Sequence, residues 1–261
     1  MRIALFSDIH ANLPALEAVF DDMSGRSIDM VFCLGDLVGY APWPNEVAAA
    51  IRSRRIPVIA GNYDEGVGLH SDDCGCAYKT EDDEARGAES IAFTNSVVTD
   101  ETRAYLLGLP RHLRLTFQEG RTKEAVPFDL LMVHGSPRRI NEYLFEDRPD
   151  RSFERMMDSA GADIMCFGHT HKPYHKALPY ETDGTVRYRH AINIGSVGKP
   201  KDGDPRACYV VLELDAGASP IEMEEIGVEF VRVEYDVSKA ARAIEESPLP
   251  NAFAAMLHDA S

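Results

Sequence analysis

The sequence predicts an α/β domain that contains two packed β-sheets. The first sixty of its 261 residues alternate short apolar runs with amphipathic segments, a βαβαβ pattern typical of a parallel sheet. After Pro110 the strand-like runs follow one another with fewer helices between them, which indicates a second sheet that is mixed or antiparallel. No repeat, low-complexity stretch or linker separates the two parts. We therefore expect one domain rather than two.

The N-terminal part supplies three predicted strands and four predicted helices. Strands are expected in RIALFS, MVFCLG and PVIAGN, and helices in LPALEAVFDDMS and NEVAAAIRSR. Residues 64 to 84 break this rhythm with glycine, aspartate, histidine and two cysteines, so a surface loop is expected there. Residues 85 to 108 predict two short helices on either side of Thr99. We interpret residues 64 to 110 as a loop and helical insertion that borders the site described below.

The C-terminal part supplies seven further strand-like runs. They are HLRLTF, FDLLMVHG, ADIMCFGH, VRYRHAINIGS, ACYVVLEL, IEMEEI and EFVRVEY. The amphipathic segment VSKAARAIEE predicts a helix near the end of the chain. We expect the domain to span residues 1 to 247, with residues 248 to 261 as a helix or tail.

The charge balance excludes one class of partner. The chain carries 27 Lys and Arg residues against 43 Asp and Glu residues, a formal net charge of −16. Polynucleotide backbones are bound by clustered cations, so a DNA- or RNA-coating role is not expected. The opening run MRIALFSDIH is too short for a signal peptide, and no window approaches the roughly 20 apolar residues of a membrane span. We expect a soluble, cytoplasmic protein that could form a homo-oligomer.

Metal-ligand residue types recur immediately after the predicted buried strands. They are Asp8 and His10 in SDIH, Asp36 in LGD, Asn62 in AGN, His134 in VHG, and His169 and His171 in GHTH. Neighbouring parallel strands place their carboxyl ends along one edge of a sheet, so side chains far apart in sequence could converge there. A single histidine of this kind is more often a structural residue, but the recurrence at five strand ends favours a site.

The same residues have simpler alternative interpretations. Asp8 could cap a helix that begins near Pro14, and Asp36 could form a turn. Asn62 could occupy a left-handed turn position. If the residues do converge, imidazole and carboxylate together suit Mn, Fe, Zn or Ni, and one carboxylate could bridge two ions. Two ions about 3.5–4 Å apart would hold a bridging hydroxide and clamp a phosphoryl group.

The motifs DIH, GDLVG, GNYD, VHG and GHTH, in this order, resemble the calcineurin-like metallophosphoesterase family from residue 3 to about residue 215. The resemblance implies a four-layer αββα sandwich in which two mixed β-sheets are flanked by helices. It implies two divalent metal ions, of which Mn is the one we expect and Fe, Ni or Zn are alternatives. One ion would be held by Asp8, His10, Asp36 and His171, and the other by Asp36, Asn62, His134 and His169.

Two longer stretches resemble a compact bacterial and archaeal branch of this family. These are GDLVGYAPWPNEV and INIGSVGKPKDGDPRACYVVL, and the branch includes phosphodiesterases and relatives that act on dinucleoside polyphosphates. The resemblance thus implies a metal-dependent phosphoric ester hydrolase that acts on a small phosphate ester or nucleotide through a metal-bridging hydroxide. Asn62, Tyr63 and His134 are the candidate catalytic residues.

Tyr63 departs from the family pattern, because many members have histidine directly after the metal-binding asparagine. A phenol, with a reference pKa near 10, is a poorer proton donor near neutrality than an imidazole with a reference pKa near 6.5. Simple alkoxide leaving groups depend most on protonation. The sequence therefore predicts a preference for phosphodiesters or nucleotide anhydrides over alkyl monoesters.

Other features have competing interpretations. Arg138 and Arg139 follow HGSP and could bind a substrate phosphate, although a solvated loop would look the same. Cys74 and Cys76 lack a second cysteine pair, so a mobile loop is favoured over a zinc site.

The main alternative function is a non-catalytic metal-binding scaffold for protein partners, as in a retromer subunit of the same fold. Intact ligand positions favour the hydrolase, and the negative charge disfavours a nuclease.

Overall fold

Two β-sheets lie face to face at the centre of the fold. The structure, a computed structural model, describes residues 1–78, 80–117, 127–214 and 219–261. The first sheet has the strand order β2-β1-β8-β9 and the second the order β3-β4-β5-β7-β6. The strands are β1 (Arg2–Phe6), β2 (Met30–Cys33), β3 (His112–Phe117), β4 (Phe128–Val133), β5 (Ile164–Phe167), β6 (Tyr174–Thr182), β7 (Thr185–Asn193), β8 (Ala207–Glu213) and β9 (Gly227–Val233).

Both sheets are mixed, with parallel strands where the predicted ligands emerge. In the first sheet β1 and β2 are parallel, and β8 and β9 extend it in antiparallel fashion. In the second sheet β4, β5 and β7 are parallel neighbours, and β3 and β6 pair antiparallel at the two edges. Parallel pairing aligns the carboxyl ends of β1 with β2 and of β4 with β5.

Helices cover both outer faces. They are α1 (Leu13–Ser24), α2 (Pro44–Ser53), α3 (Asn62–Gly68), α4 (Glu81–Val97), α5 (Asp100–Leu107), α6 (Asp150–Ala160), α7 (Val237–Glu245) and α8 (Ala252–Asp259). The inner faces of the sheets share one apolar core that includes Ile3, Leu5, Met132 and Ile164. Residues of α1, α7 and α8 pack on the outer side of the first sheet, and residues of α6 on that of the second. The predicted αββα sandwich is confirmed.

Four local predictions were wrong. PVIAGN is not a strand, because its one pairing with β2 is an isolated bridge between Cys33 and Val58. The backbone N–H of Ala60 donates to the carbonyl oxygen of Pro110 instead of continuing the sheet. Residues 64 to 68 belong to the buried helix α3 rather than to a loop. IEMEEI forms a 3-10 helix at Pro220–Glu222, where proline favours a tight turn. The segment after GHTHKP forms β6, which was not predicted because Pro173 directly precedes it and Pro179 interrupts it.

Other predictions agree with the structure. Thr99 separates α4 from α5, and its side chain accepts a hydrogen bond from the N–H of Thr102 at the start of α5. The C-terminal segment forms α8, whose Phe253 and Leu257 are buried against the first sheet's helices. Among the described residues no helix combines the length and apolarity that crossing a membrane requires.

Candidate metal centre

The predicted ligands converge at the carboxyl ends of four strands and the start of one helix. Their side chains form two buried groups: Asp8 with His10 and His171, and Asp36 with His134 and His169. Within each group the ligand atoms lie within 4.8 Å of one another. Asn62, the first residue of α3, adjoins the second group, because its Oδ1 lies 3.2 Å from Nε2 of His134. The structure therefore brings all seven predicted residues together.

Backbone strain is concentrated at the same positions. The φ angle is positive at five of the seven residues: 54° at Asp8, 49° at His10, 52° at Asp36, 66° at His169 and 60° at His171. Each left-handed non-glycine residue costs roughly 1–2 kcal/mol, and such residues persist where surrounding contacts fix them and often mark functional sites. Here the N–H of Asp8 donates to Gly35 and the N–H of His10 donates to Asp36, which ties the two turns together.

Three of the histidines are oriented by backbone carbonyl groups. Nδ1 lies 3.1 Å from Val38 O in His10, 2.8 Å from Leu34 O in His134 and 2.5 Å from Lys199 O in His171. Because a carbonyl oxygen only accepts, Nδ1 must carry the proton, and Nε2 of each neutral ring keeps its lone pair. This second hydrogen bond is the usual arrangement of a metal-binding histidine.

Each carboxylate uses one oxygen for the backbone and presents the other to the histidines. Asp8 Oδ2 accepts a hydrogen bond from the N–H of His169, and Asp36 Oδ1 accepts one from the N–H of Tyr63. Asp36 Oδ2 lies 3.3 Å from Nε2 of His134 and 3.6 Å from Nε2 of His10. Asp36 therefore reaches one histidine of each group, which is the position that a bridging ligand would occupy.

The facing atoms require a positive charge between them. Nε2 of His10 and Nε2 of His171 are 3.2 Å apart, although each is a lone-pair acceptor when Nδ1 holds the proton. Asp8 Oδ1 and His169 Nε2 are buried without a hydrogen-bond partner among the described residues. Buried acceptors in contact with one another are unfavourable unless a proton or a cation lies between them. The residues present thus fit divalent metal ions.

Burial and the nearby carboxylates shift the pKa values of the four histidines. Burial lowers the pKa of His10 to about 3, and burial also lowers the pKa of His169 and of His171 well below the usual value. Burial also opposes the charged form of His134, but the carboxylates of Asp36 and Asp8 outweigh it and raise its pKa to about 10. Three rings are therefore neutral at pH 7, as metal binding requires, and the fourth holds a proton that a metal ion would displace.

Asp64 holds the turns that carry the ligands and was not singled out from the sequence. Its Oδ1 accepts from the N–H of Leu37 and its Oδ2 accepts from the N–H of Gly61. These bonds connect the turn after Asp36 to the start of α3. Burial and the neighbouring Asp36 raise the pKa of Asp64 to about 7. Its place in GNYD was the only sequence signal for this role.

A small cavity of about 60 Å³ opens over the two ligand groups. Its walls include four tyrosines and one cation: Tyr40, Tyr63, Tyr78, Tyr143 and Lys201. Tyr63 is fully buried, and its hydroxyl has no hydrogen-bond partner among the described residues. Burial raises the pKa of Tyr63 well above its usual value. Lys201 carried no signal in the sequence, because it comes 30 residues after His171 in a glycine- and proline-rich loop.

Arg138 and Arg139 lie beside this cavity rather than in its lining. Together with Cys76 and Ala77 they line a neighbouring cavity of about 540 Å³, and Cys76 and Ala77 also line the cavity over the ligand groups. Arg138 forms an ion pair with Glu142. The structure therefore leaves a contact between these arginines and a substrate as a prediction.

The cysteine pair borders the second ligand group. The sulfur atoms of Cys74 and Cys76 are 3.1 Å apart, and Nδ2 of Asn62 lies 3.2 Å from Sγ of Cys76. Nδ2 of Asn62 also donates to the carbonyl oxygen of Cys74 at 2.9 Å. These contacts turn Oδ1 of Asn62 toward His134.

Comparison with known proteins agrees with this geometry. A curated relative, an uncharacterized protein of Methanocaldococcus jannaschii, is 34% identical over 95% of this chain and 93% of its own length. A metallophosphoesterase from Sphaerobacter thermophilus shares 30% identity, with full coverage of both chains and a TM-score of 0.72. A hypothetical protein from Pyrococcus horikoshii OT3 has the same fold at 23% identity, with a TM-score of 0.75 over 100% of this chain and 98% of its own.

A family model also matches most of the chain. The model of the calcineurin-like phosphoesterase superfamily domain matches residues 1–217, which include both ligand groups and both sheets' parallel strands. This agrees with the resemblance that the five motifs indicate and with the αββα layers of the fold. The chain belongs to the calcineurin-like phosphoesterase superfamily.

Proposed function

We propose that the protein is a phosphoesterase that uses two divalent metal ions to hydrolyse phosphodiesters or nucleotide phosphoanhydrides. The observation that carries this proposal is the pair of buried ligand groups, whose acceptor atoms face one another. Oδ2 of Asp36 lies close to one histidine of each group. A scaffold protein has no need of these strained and desolvated residues, so they favour the enzyme over the non-catalytic alternative.

Seven residues of the chain would hold the two ions. Asp8, His10, Asp36 and His171 would hold one ion, and Asp36, Asn62, His134 and His169 the other. When bound, the two ions would supply positive charge to the phosphoryl oxygens and lower the pKa of a water molecule. The cavity of about 60 Å³ has room for a phosphoryl group but not for a nucleoside, so the rest of a larger substrate would lie outside it.

Hydrolysis of two chromogenic esters tests the proposal. We expect Mn²⁺-dependent turnover of bis(p-nitrophenyl) phosphate that exceeds turnover of p-nitrophenyl phosphate. An alkyl monoester such as glycerol 2-phosphate should turn over more slowly than either, because the cavity lacks a well-matched proton donor for poor leaving groups. A screen of nucleotide anhydrides follows the same protocol. Failure of every ester and anhydride with two ions bound per chain would favour the scaffold. Manganese, the cytoplasmic location and homo-oligomerisation stay predictions.

A Tyr63→His variant is expected to shift selectivity toward monoesters. An imidazole at this position would protonate a leaving oxygen near neutral pH, whereas burial makes the Tyr63 phenol a weaker acid than usual. We expect the ratio of monoester to diester turnover to rise at least about tenfold. The ratio of kcat/KM values for glycerol 2-phosphate and bis(p-nitrophenyl) phosphate measures it, because only the first has an alkoxide leaving group that needs a proton. Tyr180→His on the edge strand β6 is the control. An unchanged ratio would contradict a role for Tyr63 in proton donation.

Lys201 is expected to contact the substrate phosphate. Within the described parts of the chain, Lys201 is the one Lys or Arg residue that lines the cavity over the ligand groups. A charge-assisted hydrogen bond to a phosphate contributes about 1.5–3 kcal/mol, so Lys201→Met should raise KM or lower kcat/KM roughly tenfold or more. Lys201→Arg should recover most of the loss, and the exposed Lys239→Met on α7 should cause none. Equal kinetics for Lys201→Met and wild type would exclude the contact.

A further inference from the structure

A second groove lies on the outer face of the second sheet and adjoins the candidate metal centre, because His134 is one of its lining residues. Its volume is about 550 Å³. Its floor is formed by Leu131 and Val133 of β4 and by Met156 of α6. One wall comes from the edge strand β3, whose Arg114 pairs with Leu131 and whose His112 pairs with Val133, so these side chains share the outer face. The opposite wall is α6.

Five arginines surround this groove, and no carboxylate is among its lining residues in the described part of the chain. They are Arg111, Arg114, Arg138, Arg139 and Arg155. The groove thus gathers five of the 27 basic residues of a chain whose net charge is −16. A local excess of cations on an acidic protein concentrates anions at that place. We refer to it as the arginine groove.

Two of the five arginines have their charge uncompensated. Arg111 pairs with Glu65, Arg114 with Asp129 and Arg138 with Glu142, all of which lie outside the lining. No carboxylate of the described residues lies within 4.0 Å of the side chains of Arg139 or Arg155. Both are exposed, so their guanidinium groups are free to form paired N–H bonds with an anion.

The walls and the volume of the groove restrict which ligands can bind there. Arg114 donates to the carbonyl oxygens of Ala160 and Gly161 at the end of α6, which fixes that wall before a ligand binds. The lining residues Leu131, Val133 and Met156 are each at most 3% exposed, so the groove offers a ligand almost no apolar surface. Its volume is that of a small-molecule site rather than of a long strand-binding surface. The ligand therefore needs anionic groups and a compact body.

We propose that the arginine groove is a binding site for a nucleoside phosphate, whose phosphates would bind Arg139 and Arg155 and whose size fits the volume of about 550 Å³. The ligand has two conceivable sources. Arg138 and Arg139 also line the 540 Å³ cavity that continues to the ligand groups, so the groove could receive the distal part of a long substrate. It could equally receive a separate nucleotide.

Titration of ADP into the full chain in the presence of EDTA tests the groove without requiring turnover. Chelation prevents phosphate from binding through metal ions, so any saturable heat comes from the protein's own residues. We expect an Arg139→Gln/Arg155→Gln variant to bind ADP at least about tenfold more weakly than wild type. Arg242→Gln, an exposed arginine on α7 with the same loss of charge, should bind within about twofold of wild type. Thermal melts confirm that the variants fold.

Three results would overturn the proposal. They are the absence of saturable ADP binding by wild type, equal binding by wild type and the double variant, and affinity for oligonucleotides that exceeds that for ADP and rises with their length. The last result would identify a nucleic-acid surface instead.

Kinetics with Mn²⁺ then distinguish the two sources. If the ligand is the distal part of the substrate, an Arg155→Gln variant raises KM for diadenosine tetraphosphate but not for bis(p-nitrophenyl) phosphate. If it is a separate nucleotide, ADP changes the rate with the small ester in wild type and does not in the double variant. Because binding is measured independently, failure of the esterase reaction would leave the result on the groove intact.

Discussion

An Asp36→Asn protein is expected to lose ester hydrolysis by at least about 10³-fold while it keeps its fold. The asparagine Oδ1 still accepts the hydrogen bond from the N–H of Tyr63 that Asp36 Oδ1 accepts now. The second carboxylate oxygen, which lies within reach of His10 and His134, is replaced by an uncharged amide. The site thereby loses the negative charge that would bridge two ions, and a neutral amide binds divalent metals far more weakly than a carboxylate.

Two measurements on the same samples decide this prediction. Metal content by mass spectrometry should fall below two ions per chain in Asp36→Asn, and turnover of bis(p-nitrophenyl) phosphate should fall with it. Asp21→Asn, which changes an exposed aspartate of α1, provides the charge-matched control. Turnover that survives in Asp36→Asn would show either a contaminating phosphatase or a site that does not depend on Asp36.

A Gly35→Ala substitution is expected to destabilise the protein by on the order of 3–4 kcal/mol. Gly35 has a φ of +91°, and a Cβ there would lie 2.3 Å from the backbone nitrogen of Gly61 and 2.7 Å from the carbonyl oxygen of Ile59. Both neighbours are backbone, so neither can rotate away. Displacement of this turn would also move Asp36, the next residue, and would weaken the bond from the N–H of Asp8 to Gly35 O.

Thermal unfolding of the metal-free protein measures this effect separately from metal binding. A loss of this size corresponds to a fall in Tm of roughly 10 °C for a chain of this length. Gly184→Ala is the matched control, because Gly184 also has a positive φ of 73° but nothing lies within 4 Å of its added Cβ. It should cost only the conformational strain of about 1 kcal/mol. Equal losses in the two variants would show that steric contact at Gly35 is not the cause.

Local sequence predicted the ligand positions better than it predicted the strand β6. Glycine and proline mark the ends of buried apolar runs, so the sequence located the seven ligand positions, six of which follow strands and one of which, Asn62, begins α3. The Asp183–Gly184 pair, with φ of 52° and 73°, is a turn signal of the same kind and joins β6 to β7, although the strand before it was not predicted. Pro179 within β6 obscured this strand in the sequence, although an edge strand tolerates a missing N–H.

Secondary structure around the site was less predictable. The run PVIAGN has the composition of a buried strand, but only Val58 pairs, and Asn62 already begins a buried helix. This outcome depends on contacts with Pro110 and on the two bonds of Asp64, which bring together segments that lie far apart in the chain. Propensity within the run contains no information about those partners.

The sequence by itself indicated the family through the resemblance of five motifs, and the order of layers is what that resemblance implies. Apolar periodicity and the turn residues next to it located the seven candidate ligands. Only the tertiary structure decided which oxygen of Asp36 faces the histidines, that Lys201 and four tyrosines close the cavity, and that Arg138 and Arg139 line a separate groove. The physical reason is that these relations join residues from different strands and loops. Their distances are set by how the two sheets pack, and no local pattern records that packing.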